Sequence, residues 1–166
     1  ATSESEFRDG MDRMIASAAE NIDIGLFSSR PGAEYDSPKE QFAKVEPYLQ
    51  ILRDEYISKS NIELSFDTTS SEVVLRIYDS IGPFIVNDIS ASAADNDMLK
   101  RVGELSLDYI AMHMKGDPRT MQSLAQYDSV VTDVIEFFKQ FEERASRFGI
   151  NNYIIDPGFG FSKTIS

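Results

Sequence analysis

Four polar residues each close a short apolar or β-branched run: Asp67 after 62–66, Asn87 after 84–86, His113 after 109–112 and Asp156 after 153–155. In a strand–helix fold the C-terminal ends of the strands carry the functional face, in a closed barrel and in an open sheet alike. Four polar groups from four strands would then converge. Each alone has a plainer reading, because Asp and Asn commonly follow a strand to cap the next helix. Four together, two of them carboxylates, favour a site. His113 is the single histidine, and at an apolar strand end packing outweighs catalysis for it. One histidine allows no histidine-based metal site, and no Ser–His–Asp order is evident.

Two further stretches could do chemistry. Gly158-Phe159-Gly160-Phe161 has neither dinucleotide-fingerprint nor P-loop spacing. Its glycines permit an unusual backbone that exposes aromatics, and an aromatic at a strand end can stack on a flat ring. At least one of the two phenylalanines is expected only to pack the rim. Ser28-Ser29-Arg30-Pro31-Gly32 sets hydroxyls and a guanidinium in a turn, and Arg binds oxyanions bidentately. That pattern alone is weak.

Alternating elements must position these groups. Apolar spacing predicts helices over 4–20, 71–79, 97–105 and 129–148. Ser37-Pro38-Lys39-Glu40 is a capping box with Pro at the first helical position. It starts a helix that runs to about Tyr56, with a kink or restart expected at Pro47. Strands are predicted over 21–25, 62–66, 84–86, 109–112 and 153–155. Loops fill 26–36 and 114–128. Strand–helix repetition implies α/β architecture with a parallel sheet wrapped by helices. Periodicity leaves open whether the sheet is open or closed into a barrel. The 166 residues suit one domain over 1–166.

Composition narrows the function. The net charge of −12 disfavours nucleic acid and anionic membranes as partners. A small anionic substrate remains compatible if local cations or N–H donors meet it. No apolar run reaches membrane-spanning length. The polar, acidic start shows no signal-peptide pattern. The absence of cysteine rules out disulfides and thiolate metal sites and suits the cytoplasm, where the protein is expected.

Five motifs in order resemble one family. Ile22-Asp23-Ile24-Gly25 with Ser28-Ser29-Arg30-Pro31-Gly32-Ala33 resembles D-I-G-G-E-S-T-R-P-G-A. Phe66-Asp67-Thr68 resembles V-D-T, and Val86-Asn87-Asp88-Ile89 a strand ending in N-D. Met112-His113-Met114-Lys115-Gly116-Asp117-Pro118 resembles M-H-M-x-G-x-P, and 156–163 resembles D-P-G-F-G-F-G-K. These are motifs of the dihydropteroate synthases. Leu26-Phe27 stands where Gly-Glu is usual, Ser29 where Thr is, and Ser162 where Gly is.

The resemblance implies a (β/α)8 TIM barrel, of which about five strand–helix units are present. The first strand and the last two would lie outside this chain. It implies condensation of 6-hydroxymethyl-7,8-dihydropterin diphosphate with 4-aminobenzoate, giving 7,8-dihydropteroate and pyrophosphate. Asp156 would meet the pterin's fork of N–H donors, Asn87 its mixed edge, and Met112 would line the slot. Asp67 would face the ring and favour the positive character that grows as pyrophosphate leaves. Ser29 and Arg30 would contact the diphosphate or enclose the aminobenzoate. Phe161 would pack on the benzoate ring, with Gly160 allowing close approach. Lys163 is expected to be structural rather than a ligand. Mg2+ would be held by an Asn of the absent first strand, so no metal ligand is expected in this chain. A homodimer is expected of the complete protein. A methyltetrahydrofolate-binding methyltransferase and a non-catalytic pterin-binding homologue are the alternatives.

Overall fold

The computed structural model describes residues 2–28, 30, 32–58 and 62–164. Helix starts follow local chemistry. Helix α1 (Glu4–Ala16) is opened by a capping box between Ser3 and Glu6. It stops short of the expected 4–20, because the chain turns left-handed at Ala18, φ 60°. Helix α2 (Pro38–Ile51) begins with the anticipated Ser37–Glu40 box and Pro38 in the first turn. The break expected at Pro47 does not occur there. Pro47 lies inside α2 on its exposed side, where the carbonyl its ring leaves unpaired can turn to water. The departure comes later, as a π-helical segment over Leu52–Ile57.

The strands are β1 (Asn21–Gly25), β2 (Glu63–Asp67), β3 (Ile85–Asp88), β4 (Asp108–Met112) and β5 (Tyr153–Asp156). Between the later strands run α3 (Ser71–Ile81), α4 (Met98–Leu105) and α5 (Val130–Ser146). All neighbouring strands pair in parallel, in the order β1-β2-β3-β4-β5. A doubly wound sheet reverses its strand order at a switch point, and none occurs here. Parallel crossovers are right-handed almost without exception, so sequential order places the connecting helices on one face. That is how a barrel wall is built.

Register and alternation assign each side chain to a face. Ile22, Leu64, Phe66, Val86, Tyr109 and Ala111 point to the helices and join Val45, Leu49, Val73, Ile77, Val102 and Phe141 in the main core. Each such side chain fully buried stabilises the fold by about 1.5–3 kcal/mol. The helix-free face carries Asp23, Asp67, Asn87, Met112 and Asp156. Over the C-terminal strand ends lies a smaller apolar layer of Phe27, Ile89, Met112, Met114 and Met121, with Tyr35 and Phe161 packed on it.

Candidate active site

Asp67 and Asn87 are register partners on adjacent strands. Met112 and Asp156 are partners two residues further along their own strands. Asn87 pairs Ile110, which shares a face with Met112, so all four side chains occupy the helix-free face. Asp67 and Asp156 are three strands apart, roughly 14 Å at the backbone at about 4.8 Å per strand. That spacing leaves room for a flat bicyclic ring between them.

His113 does not join them. It follows Met112 and so points the other way, into the helices. It is 2 % exposed and meets the edge of Phe137 with centroids 4.8 Å apart. Burial and the nearby Lys163 push its pKa down to about 4. The packing expectation for this residue holds, and convergence of four polar strand ends reduces to three.

Asp67 is electrostatically set apart. Burial, then the negative charges of Asp23 and Asp88, raise its pKa to about 7. Its Oδ1 is buried and has no hydrogen-bond partner among the described residues. A donor-bearing ligand would relieve that deficit. Asn87 donates from Nδ2 to Asp23 Oδ1 at 3.2 Å, and among the described residues no donor takes its side-chain oxygen. Ser65 donates to the same Asp23 oxygen at 2.5 Å. Asp156 Oδ1 accepts from the Gly158 N–H at 2.8 Å, which orients the carboxylate.

Asp23 was absent from the candidate residues and belongs to this polar network. Its signal was available: Asn21, Asp23 and Gly25 alternate with Ile22 and Ile24, so one face of β1 is polar. Tyr35 was also missed. Its phenol pKa is raised by burial and then by Asp88, Asp117 and Asp67, and its ring meets Phe27 edge-on at 5.6 Å.

The 156–163 segment resolves its aromatics. Phe161 is part-buried on the methionine layer, whereas Phe159 is 85 % exposed. Within the protein the tight glycine is Gly158, where an added Cβ would sit 2.4 Å from the His113 carbonyl oxygen. Among the described residues no atom crowds Gly160, whose constraint is its φ of 88°. Ser162 takes φ 47°, the left-handed region that the family's usual glycine enters freely. The serine offsets that strain by accepting from the Lys115 N–H at 2.9 Å.

Arg30 is exposed. Its loop is tied to the β4–α5 loop by the Gly32 N–H bond to the Pro118 carbonyl, 2.9 Å, and by the Arg119–Glu34 ion pair. Ser29 lies outside the described residues. The Leu26-Phe27 departure is absorbed by burial, at 1 % and 9 % exposure, with Phe27 entering the rim layer. Among the described residues no three His, Cys, Asp or Glu side chains gather as a metal site, and no helix is long and apolar enough to cross a membrane.

The relatives agree with this geometry. A dihydropteroate synthase of Synechocystis is 37 % identical over 153 residues, covering 91 % of this chain and 51 % of its own length. The Yersinia pestis dihydropteroate synthase, solved with a sulfonamide drug complex, superposes with a TM-score of 0.88 at 32 % identity. It matches 98 % of this chain and 57 % of its own. The Thermus thermophilus enzyme in complex with 4-aminobenzoate gives 0.82 at 29 % identity, over 94 % and 57 % respectively. The chain thus spans about half the length of these relatives and supplies part of their barrel. The family model for pterin binding enzymes matches residues 3–166, and the chain belongs to that family.

Proposed function

We propose that the protein containing this chain is a dihydropteroate synthase. The observation that carries the reading is the row of acceptors on the helix-free face, Asp67, Asn87 and Asp156, with one Asp67 oxygen still lacking a donor. The 2-amino and ring N–H groups of a dihydropterin form a parallel donor fork, and a carboxylate oriented through Gly158 matches it. Asp156 takes the fork, Asn87 the mixed edge, and Met112 one wall of the slot. Phe161 braces the benzoate ring beside Gly160, and Arg30 with Ser29 meets the diphosphate.

In the reaction the neutral aniline nitrogen of 4-aminobenzoate attacks the exocyclic methylene of the pterin. The C–N bond forms as the C–O bond to diphosphate breaks. Pyrophosphate carries away the electron pair, and the nitrogen loses a proton to water. The amine needs no strong base, so these residues act by orientation and by stabilising the positive character that develops on the pterin. Ionised Asp67 faces that charge. Mg2+ belongs to the proposal as a group whose ligands lie outside these residues. A homodimer in the cytoplasm completes it.

Asp156→Ala in the complete protein tests the reading. Pterin affinity by calorimetry is expected to fall below detection with the melting temperature nearly unchanged. Unaltered affinity would sink the assignment. A methyl-transfer assay with a corrinoid protein serves as the control for the related methyltransferase activity and is expected to be negative.

A further inference from the structure

Lys163 ends the glycine-rich segment with its ammonium set among uncharged acceptors. Nζ lies 2.9 Å from His113 Nδ1, 3.0 Å from the Phe161 carbonyl, 3.1 Å from that of Gly158 and 3.2 Å from that of His113. An ammonium has three protons and no lone pair, so it can only donate. The His113 Nδ1 facing it must accept. That fixes the ring as neutral with its proton on Nε2. Charging the ring would set two cations in hydrogen-bond contact while the imidazole is buried against Phe137.

The acceptors come from two places. Gly158 and Phe161 belong to the turn after β5, and His113 directly follows β4. Lys163 therefore ties the turn to the neighbouring strand. Directly beneath the tie, Met112 and Asp156 are register partners, and the His113 N–H bonds the Asp156 carbonyl at 2.9 Å. The same turn supplies the Gly158 N–H that orients the Asp156 carboxylate. It also carries Phe161 onto the methionine layer. An exposed surface lysine would show none of this convergence, and a lysine waiting for an anion would leave its protons free.

We propose that Lys163 is a positioning residue, which clasps the turn through the neutral imidazole of His113 and so aims the Asp156 carboxylate and the Phe161 ring without touching substrate. Only its kinetic consequence rests on the synthase reading above.

Nitrogen-15 NMR of His113 at pH 7 in the complete, substrate-free protein reads the clasp directly, with the signal assigned by its loss in His113→Gln. The expected spectrum is the Nε2–H tautomer with Nδ1 accepting a hydrogen bond. In Lys163→Met the Nδ1 resonance should move to the position of a free imidazole with mixed tautomers. An Nδ1–H tautomer in the unmodified protein overturns the proposal and requires no variant to fold. So does a His113 spectrum that Lys163→Met leaves unchanged. In steady-state kinetics, Lys163→Met and Lys163→Arg should each raise KM for 4-aminobenzoate about tenfold, with a smaller effect on kcat. A planar guanidinium cannot fill a cage built around an ammonium. Full rescue by Arg would mark a direct contact with a substrate anion and end the clasp reading. If the unmodified protein condenses no pterin with aminobenzoate, the synthase reading falls and the NMR result still decides the clasp.

Discussion

Asp67 holds its proton to about pH 7, because burial strips its hydration and Asp23 and Asp88 add negative charge nearby. The sign has two consequences. Below pH 7 the carboxyl is neutral and, on the proposed reading, would lose a charge-assisted bond to ligand N–H groups. Pterin affinity should therefore weaken about tenfold between pH 8 and pH 6, as calorimetry across that range would show. A flat profile would remove Asp67 from recognition. Stability runs the other way. The folded pKa lies above the ordinary value of 3.8, so the stability from this group is whole below about pH 4 and is lost as pH rises through 7. Asp67→Asn should raise the melting temperature at pH 8 and change it little at pH 4.

The loop after β3 shows how an element holds such residues in place. Ala91 and Ser92 are both left-handed, at φ 46° and 71°, a costly arrangement for two consecutive non-glycine residues. Buried Asp88 holds them. Its Oδ1 accepts from the Ser90 N–H and hydroxyl at 2.8 and 2.7 Å. Its Oδ2 accepts from the Ser92 N–H at 2.9 Å and the Tyr109 hydroxyl at 2.6 Å. Arg144 of α5 closes the loop through the Ser92 hydroxyl and the Ala91 carbonyl. Burial raises the Asp88 pKa against the pull of these donors. Asp88→Asn must turn an NH2 toward one of two backbone N–H groups and is expected to cost about 1–3 kcal/mol. Urea denaturation would measure the loss, and a neutral result would mean that the loop holds itself. Asn87 precedes this anchor by one residue, so pterin affinity should fall with it.

At the scale of the molecule, one face of the sheet is sealed by helices and the other carries the polar candidate site. The sealed face ends unevenly at β5, where Ile155, register partner of buried Ala111, is 52 % exposed. Val86, in the middle of the sheet, is fully buried. A charge at Ile155 should therefore change the stability of residues 1–166 by less than about 0.5 kcal/mol. A charge at Val86 should abolish folding. Thermal melts of Ile155→Lys and Val86→Lys would show the contrast. A large loss at Ile155 in a longer protein would measure how far further chain covers this edge.

The sequence by itself determined the elements and their order. The capping box at Ser37, the β-branched runs and the turn residues act over a few neighbours, so they are readable without a fold. The motif order carried the family. It did not determine which way each polar group points. Asp67, Asn87, His113 and Asp156 look equivalent as strand ends. Side chains alternate along a strand, so a difference of one residue in register exchanges the site face for the core. That parity sends Asn87 to the site and Asp88 into the core, Met112 to the site and His113 into the helices. The surroundings of Lys163 were equally beyond the sequence. Its acceptors lie up to 50 residues away, brought together only when β4 and β5 pair. Lys163, expected to be structural, is placed by that pairing directly over Met112 and Asp156.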